Sequence, residues 1–308
     1  ITLPDIPATK VPGAEYFINF SFCQKRDTEW AKADYEVATE QFKLSSSEKP
    51  IFVPEKGNIN LNETADALVV KGERFEAVFS KEEGTLSAYT LNNIPLISKG
   101  LELNLFRAPT DNDVMKGSWY RAHLNDFTVK CYDTAVTSND TEVIITVSQS
   151  MGWSIHQPFA KLNVTYSVGC KLNISCTAEF SNKVENLPRF GIRLFMPRSF
   201  EAVDYFGYGP HESYIDKHLS SYMGHFSANI ADMFEDYVRP QENSSHYGCR
   251  YVNVSNGDIC VKFTSDNDFS FNASEYTQEE LAQKRHNYEL ERSGSSVICI
   301  DSRMAGVG

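Results

Sequence analysis

The residues best suited to chemistry lie in a polar segment that follows an apolar, strand-like run at 101–106. The segment carries the side chains of Arg107, Asp111, Asn112 and Asp113, with a proline among them. Asp, Asn and Thr side chains bond to their own backbone, so this composition predicts a shaped loop at the end of a strand. The loop could face a ligand, or it could be a rigid turn held by a buried arginine. The residue chemistry favours neither interpretation.

The residues that follow this loop extend the candidate site. They are Val114, Met115, Lys116, Gly117, Ser118 and Trp119, with Tyr120 after them. Thioether and aromatic side chains offer large apolar faces, and these suit the wall of a sugar or peptide site. The segment is therefore predicted to continue the loop rather than to form a core element.

Two further segments, at 205–216 and 232–243, combine aromatic rings with carboxylates, amides and an arginine. Their candidate residues are Tyr208, His211, Glu212, Arg239, Glu242 and Asn243. Sugar C–H faces stack on aromatic rings while sugar hydroxyl groups bond to charged side chains, so the composition is typical of a carbohydrate site. The structural alternative is a tight strand exit at 207–210 and an ion pair between Arg239 and Glu242. The residue chemistry by itself favours that alternative.

Acid–base catalysis by this chain alone would need two carboxylates, or a histidine and a carboxylate, at a fixed distance. Glu212 and Glu242 are one such pair of candidates. Asp111 and Asp113 are a second pair, and His211 beside Glu212 is a weak acid–base signal. No serine-nucleophile elbow, zinc-protease helix or phosphate-binding glycine loop occurs in the sequence. We predict no catalytic residue and no metal site in this chain.

Charge and composition exclude several classes of partner. The 308-residue chain has a net charge of −12, which argues against nucleic acid and anionic lipid, since both are bound chiefly through Lys and Arg. No apolar run approaches the roughly 20 residues that span a bilayer, so we expect no membrane association. The seven cysteines are spread along the chain without a CxxC pair. This pattern predicts free, mostly buried thiols in a reducing compartment, the cytoplasm.

Period-two alternation of apolar residues runs through most of the sequence and predicts β-strands. Two strands are predicted early, at 16–22 and 34–42. A hairpin is predicted to turn at 71–72, and later turns at Gly84 and at 92–93. The helical signal occurs once, where Thr277 and Glu280 form a capping box that opens a predicted helix at 279–286.

The predicted fold class is therefore all-β. Two or three strands cannot close a sandwich alone, so residues 1–50 are predicted to be the C-terminal strands of a truncated immunoglobulin-like domain. Residues 51–60 are predicted to be a linker. Residues 61–308 are predicted to form one large antiparallel β-sandwich with more strands than an immunoglobulin fold holds.

Four segments, in this order and at this spacing, resemble the C-terminal small-chain domain of glycoside hydrolase family 2 β-galactosidases. They lie at 106–113, 207–214, 232–243 and 304–308. The sequence at 3–43 resembles the end of the immunoglobulin-like domain that precedes the small-chain domain in that family. The resemblance implies a galactose-mutarotase-like supersandwich, which agrees with the many strands predicted from alternation. It also implies that the chain is a fragment of a longer enzyme, which we call the parent enzyme.

By the same resemblance, the parent enzyme would be a retaining β-galactosidase that hydrolyses terminal β-galactosides such as lactose. Its two catalytic Glu residues would lie on a TIM barrel, with Mg²⁺ and often Na⁺ near the site. Those residues and the metal ligands belong to the barrel, so this chain is expected to be inactive alone and to need no cofactor of its own. Its expected partners are the missing TIM-barrel and N-terminal domains, the β-galactoside, and further subunits of a homo-oligomer.

The resemblance also gives the candidate residues a role. Arg107 and the residues at 111–113 would anchor a mobile loop at 114–120, which lies at the mouth of the active site in the family. Where the best-known members have a glycine two places after the last Asp, this chain has Met115, and Gly117 follows two places later. Two alternatives remain: a stand-alone aldose epimerase or carbohydrate-binding module of mutarotase-like fold, and a purely structural domain that supports the barrel and the oligomer.

Overall fold

The computed structural model describes residues 11–48, 58–154 and 157–308. Contacts between Cα atoms divide the chain into two compact units, Ile1–Val53 and Pro54–Gly308. Most of the predicted linker, from 51 to 57, lies outside the described residues, as does the beginning of the segment that resembles the immunoglobulin-like domain.

The described part of the first unit is a two-stranded antiparallel sheet. Strand β1 (Glu15–Cys23) pairs with β2 (Glu36–Ser46), close to the two strands predicted from alternation. A sheet of only two strands leaves much of its apolar surface in water. Phe22 and Phe42 are accordingly more than half exposed, and the contact of Phe42 with Phe20 is an edge-to-face ring contact with centroids 6.0 Å apart.

The described part of the second unit contains sixteen strands. They are β3 (Asn60–Glu63), β4 (Ala67–Lys71), β5 (Phe75–Ser80), β6 (Thr85–Leu91), β7 (Ile94–Pro95), β8 (Lys99–Asn104), β9 (Thr128–Ser138), β10 (Val143–Gly152), β11 (Pro158–Val168), β12 (Leu172–Phe180), β13 (Arg189–Pro197), β14 (Ala202–Gly209), β15 (Tyr222–Asn229), β16 (Ser245–Ser255), β17 (Cys260–Ser274) and β18 (Ser295–Met304). Of the predicted turns, Gly72, Gly84 and the residues at 92–93 lie between these strands, whereas Lys71 is the last residue of β4. The all-β prediction is confirmed.

These strands form three antiparallel sheets. The five-stranded sheet has the order β3-β4-β5-β6-β7, and the four-stranded sheet has the order β12-β11-β10-β9. The seven-stranded sheet has the order β15-β14-β16-β17-β18-β13-β8. Apolar side chains on alternate positions face inward, as along β11, where buried and more exposed residues alternate. One buried cluster joins the four- and five-stranded sheets to β8 and β13, and a second lies under β14, β16, β17 and β18.

Two α-helices occur in the described residues, α1 (Lys116–Arg121) and α2 (Gln278–Gln283). The predicted helix at 279–286 is too long, since α2 begins one residue earlier and ends at Gln283. Thr277 Oγ1 accepts the Glu280 N–H at 3.2 Å, as predicted. The Glu280 carboxylate, however, accepts the Glu291 N–H at 2.8 Å, so the predicted reciprocal bond is replaced by one to a later loop. Helix α1 was not predicted, because it is short and contains Gly117.

All seven cysteines are free thiols. The prediction that most are buried is wrong, because only Cys249 and Cys299 are buried. Cys23, Cys170 and Cys260 are exposed, since they lie at strand ends or in a turn, where the chain meets water. Among the described helices, none combines the length and apolar character that crossing a membrane requires.

Gly191 tests how closely β13 and β18 are packed. It pairs with Asp301, and a Cβ atom here would overlap the carbonyl oxygen of Ile300. We expect Gly191→Ala to lower the free energy of unfolding by about 1–3 kcal/mol, because the strands would have to separate. Gly294→Ala is the matched control, since no atom lies within 4 Å of its Cβ position. Equal urea-unfolding free energies for the two variants would contradict the packing described here.

Candidate functional site

Arg107 follows β8, and its side chain is fully buried. Nη1 donates to Oδ2 of Asp113 at 2.7 Å and Nη2 donates to Oδ1 at 2.8 Å. These two bonds form a two-pronged ion pair, the arginine fork. Nη2 also donates to the carbonyl oxygen of Gly306 at 2.8 Å. The Trp119 ring covers the guanidinium group, with 5.0 Å between Arg107 Cζ and the ring centroid. Only a planar group with several N–H donors can make these contacts together, so lysine is not equivalent here.

Asp113 also closes the loop on itself. Its Oδ2 accepts the Thr110 N–H at 2.6 Å and the Thr110 hydroxyl at 3.1 Å. This geometry is that of a turn held by a buried arginine. Asp111 lies outside the fork, 3.6 Å from Arg239 Nη1, and both side chains are about 70% exposed (71% and 70%). Such an exposed ion pair contributes little to stability.

The residues at 114–119 divide into a rim at 114–117 and a buried anchor at 118–119. Val114 is 92% exposed and Met115 is 43% exposed, whereas Ser118 and Trp119 are buried. The Trp119 indole N–H donates to Asn186 Oδ1 at 2.5 Å. The predicted apolar wall is therefore only partly on the surface: Trp119 packs inward on Arg107, and helix α1 begins where a loop was predicted.

A cleft of about 310 Å³ brings the first and third candidate segments together. Its lining residues are Pro109, Thr110, Asp111, Lys116, Gly117, Tyr120, Arg239, Pro240, Gln241 and Ala282. The second segment, at 205–216, does not line it. Gln241 and Ala282 were not among the candidate residues: Gln241 lay inside a candidate segment, but nothing in the sequence pointed to Ala282 on α2.

Glu212 connects two loops, β14–β15 and β15–β16, instead of facing the cleft. Its Oε1 accepts from the Lys217 ammonium group and from the Tyr237 hydroxyl at 2.9 Å. Its Oε2 accepts the Ser244 N–H at 3.0 Å. The carboxylate is almost fully buried, whereas the adjacent His211 is exposed. A His211–Glu212 acid–base pair is therefore not formed in this structure.

The other members of these segments also make internal contacts. The Tyr208 ring stacks on the Tyr247 ring at 5.9 Å between centroids. Asn243 Oδ1 accepts the Glu235 N–H at 3.3 Å, and Asn243 Nδ2 donates to the carbonyl oxygen of Gln241 at 2.9 Å. These bonds fix the loop that carries Arg239 to the cleft.

Glu242 lies in a buried charge cluster. Its Oε1 is 3.8 Å from Nη2 of Arg189, which donates to Oδ2 of Asp301 at 2.9 Å. The predicted ion pair between Arg239 and Glu242 is wrong, because Arg239 points to solvent and Glu242 points inward. A spacing of three residues in a loop does not fix the direction of either side chain. The groups that do surround Glu242 had a signal in the sequence: Arg189 and Asp301 are charged residues in two otherwise apolar strand patterns.

Burial raises the pKa of Glu242 to about 7, although Arg189 and Arg107 act in the opposite direction. For Arg189, burial alone would lower the guanidinium pKa, but Asp301 and Glu242 raise it above its ordinary value. The cluster thus contains a permanently charged arginine and a carboxyl group that ionises near neutral pH.

The structure does not join the candidate carboxylates into a reactive pair at the cleft. Asp113, Glu212 and Glu242 are committed to internal contacts, and Asp111 alone of these four lines the cleft. Within the described ranges, no group of three or more His, Cys, Asp and Glu side chains is arranged to hold a metal ion.

A larger groove of about 640 Å³ lies between the four-stranded sheet and the β8–β13 end of the seven-stranded sheet. Its walls are mixed: apolar residues such as Ile174 and Ile192 alternate with the ion pair of Glu102 and Arg193. None of the predicted site residues lines this groove. The predicted site residues therefore meet at the smaller cleft.

The Glu242 carboxyl group predicts a pH dependence of stability. Its pKa is higher in the folded chain than the ordinary value of 4.5, so the folded chain binds the proton more tightly than the unfolded chain does. The unfolding free energy of the wild type should therefore fall as the pH rises from about 4.5 to about 7. Glu242→Gln cannot ionise, so we expect the wild type to lose up to about 3 kcal/mol relative to this variant across that window.

Urea unfolding at a series of pH values measures this difference. Glu73→Gln is the control, because Glu73 is exposed in a turn and its charge stays in water. Parallel pH profiles for the wild type and Glu242→Gln would refute the assignment.

Comparison with known proteins agrees with this architecture. The family model described as "Beta galactosidase small chain" matches residues 71–308, and the model described as "Beta-galactosidase, domain 4" matches residues 1–45. The β-galactosidase of Actinobacillus pleuropneumoniae is 32% identical over 314 residues, which is 100% of this chain and 31% of that protein. The β-galactosidase of Streptococcus thermophilus is 31% identical over 322 residues, 100% of this chain and 30% of that protein.

The β-galactosidase of Staphylococcus xylosus is 35% identical over 234 residues, which is 75% of this chain and 24% of that protein. The chain thus spans less than a third of the length of these curated relatives. The small-chain match begins in β4 and continues through β18, so it includes the arginine fork, the cleft and the buried charge cluster. This chain belongs to the β-galactosidase small chain family.

Proposed function

We propose that this chain is a non-catalytic portion of a retaining β-galactosidase of glycoside hydrolase family 2, which hydrolyses terminal β-galactosides such as lactose. The observation that carries the proposal is the small-chain match over residues 71–308. Retaining glycosidases act through two carboxyl groups on either side of the scissile bond. We assign these two groups, and the Mg²⁺ and Na⁺ of the parent enzyme, to a TIM barrel outside this chain.

The contacts of the candidate carboxylates support a non-catalytic role. Asp113 neutralises Arg107, and Glu212 accepts three hydrogen bonds, one from its own loop and two from the next. Asp111 is exposed at the cleft but has Arg239 as its partner. The cleft therefore offers positioning groups, not an acid and a base at a defined separation.

The role proposed for the cleft is to complete the mouth of the parent enzyme's active site. The rim at 114–117 lies between two fixed points, the Arg107–Asp113 fork and the buried Trp119. Val114 in the rim is almost wholly exposed. A short segment between two rigid anchors is suited to open and close without disturbing the sheets beneath.

Exposed apolar side chains support a docking surface for the missing barrel at the same end of the unit. Ile215, Leu219 and Val238 are 52%, 99% and 75% exposed, in loops joined to the arginine fork or to Glu212. Exposed apolar groups in one region often mark an interaction surface. We propose that the preceding domains of the parent enzyme cover these side chains.

Reconstitution tests the proposed function. The purified chain is mixed with a separately produced preceding portion of the parent enzyme, and hydrolysis of a chromogenic β-galactoside is measured. We expect activity in the mixture and none with the chain alone. Leu219→Asp should weaken the reconstitution at least tenfold, because it places a charge in the proposed apolar interface. Val129→Asp, on the exposed face of β9, is the matched control.

Two results would contradict the proposal. Full activity of the preceding portion without this chain would remove the chain from the active site. Faster mutarotation of α-galactose in the presence of the chain alone would support the epimerase alternative instead.

Gly117 tests the mobile rim. A Cβ atom at this position would meet only the Nη1 tip of Arg121, at 3.3 Å, and alanine is more favourable than glycine within a helix. Gly117→Ala should therefore leave the melting temperature unchanged or slightly higher. In the complete parent enzyme it should alter both kcat and KM by roughly threefold or more, because the rim becomes stiffer. Unchanged kinetics would exclude this segment from the catalytic cycle, with Gly294→Ala as the control.

A further inference from the structure

The segment that follows β18 is held by side chains through its backbone. Arg107 Nη2 donates to the Gly306 carbonyl oxygen, and Thr110 Oγ1 donates to the Val307 carbonyl oxygen at 3.1 Å. The Val307 N–H donates to Asp216 Oδ1 at 3.0 Å, and the Gly308 N–H donates to Asp216 Oδ2 at 3.0 Å. Side chains from two separate loops therefore hold the backbone groups of three consecutive residues.

Asp216 is presented to this segment by a tight turn. The backbone N–H and carbonyl groups of Tyr214 and Lys217 bond to each other, at 2.8 and 3.1 Å, and the Tyr214 ring is buried beneath them. Asp216 lies between these two residues with its carboxylate directed at the two backbone N–H groups. Both carboxylate oxygens are used, which gives two charge-assisted hydrogen bonds to one peptide segment.

The two glycines of the segment permit this close approach. A Cβ atom on Gly306 would overlap the Asp216 carboxylate. A Cβ atom on Gly308 would overlap Cβ of Asn112, and its φ of +111° lies in the region that favours glycine. The backbone at 306–308 thus lies directly between the Asp216 turn and the loop at 110–113, and either contact would be lost with a larger residue.

We propose that Asp216 is a positioning residue of the active-site mouth. It binds the backbone at 306–308 and holds it against Arg107 and Thr110. These contacts fix the loop at 107–113, and the rim at 114–117 extends from that loop. Asp216 touches no substrate and acts through the loop alone. The kinetic consequence rests on the proposed function, whereas the structural consequence does not.

Hydrogen exchange in the isolated chain tests the structural part. In Asp216→Ala, the amides of Val307 and Gly308 should exchange at least tenfold faster, and the Thr110 amide should also become less protected. Asp216→Asn keeps one carbonyl oxygen and should restore protection to one of the two amides. Asp216 is exposed, so neither change opens a cavity. Asp258→Ala, at an exposed turn, is the control. Unchanged exchange at Val307 and Gly308 in Asp216→Ala would overturn the proposal.

Kinetics of the complete parent enzyme tests the positioning role. We expect Asp216→Ala to lower kcat/KM at least tenfold at an unchanged melting temperature, Asp216→Asn to recover part of the loss, and Asp258→Ala to have no effect. Faster exchange with unchanged kinetics would show that Asp216 is only structural and would overturn the positioning role. Absence of β-galactosidase activity in the wild-type parent enzyme would instead refute the proposed function. The exchange result would still decide whether Asp216 holds the backbone at 306–308.

Discussion

The candidate site depends on the bonds made by the buried guanidinium group of Arg107. A charge in the interior is tolerated only when it is paired and hydrogen-bonded, and Asp113 and the Gly306 carbonyl oxygen together provide that environment. The pairing has a structural consequence beyond neutralisation. It connects the strand before the cleft, the loop that lines it and the segment after the last strand, so all three must be in place together.

Behind the fork, the cluster of Arg189, Asp301 and Glu242 fixes the other wall of the site. Arg189 and Asp301 belong to neighbouring strands, β13 and β18, whereas Glu242 belongs to the loop that carries Arg239. Glu242 thus attaches the loop at its inner face, while the Arg239 side chain on the other side is exposed. The region around the cleft is built in one way: buried charged side chains fix its inner part, and apolar side chains such as Val114 extend into solvent.

The sequence predicted the strands well and the side-chain contacts poorly, for a physical reason. Alternation is a local property, so β1 and β2 could be recognised from their own residues. The direction of a loop side chain is not local. Arg239 and Glu242 are three residues apart, yet one faces water and the other the interior. Helix α1 was also missed, because its stability comes from burial of Trp119 and not from its own propensity.

By itself, the sequence determined the all-β class and the resemblance to the small-chain family. Strand periodicity and the four motifs can both be recognised within short, continuous segments. Only the tertiary structure decided which groups meet. Arg107 bonds to a carbonyl group 199 residues away, and Arg189 to a carboxylate 112 residues away. Such contacts depend on the order and register of the strands between them. They therefore cannot be derived from the composition of either segment alone.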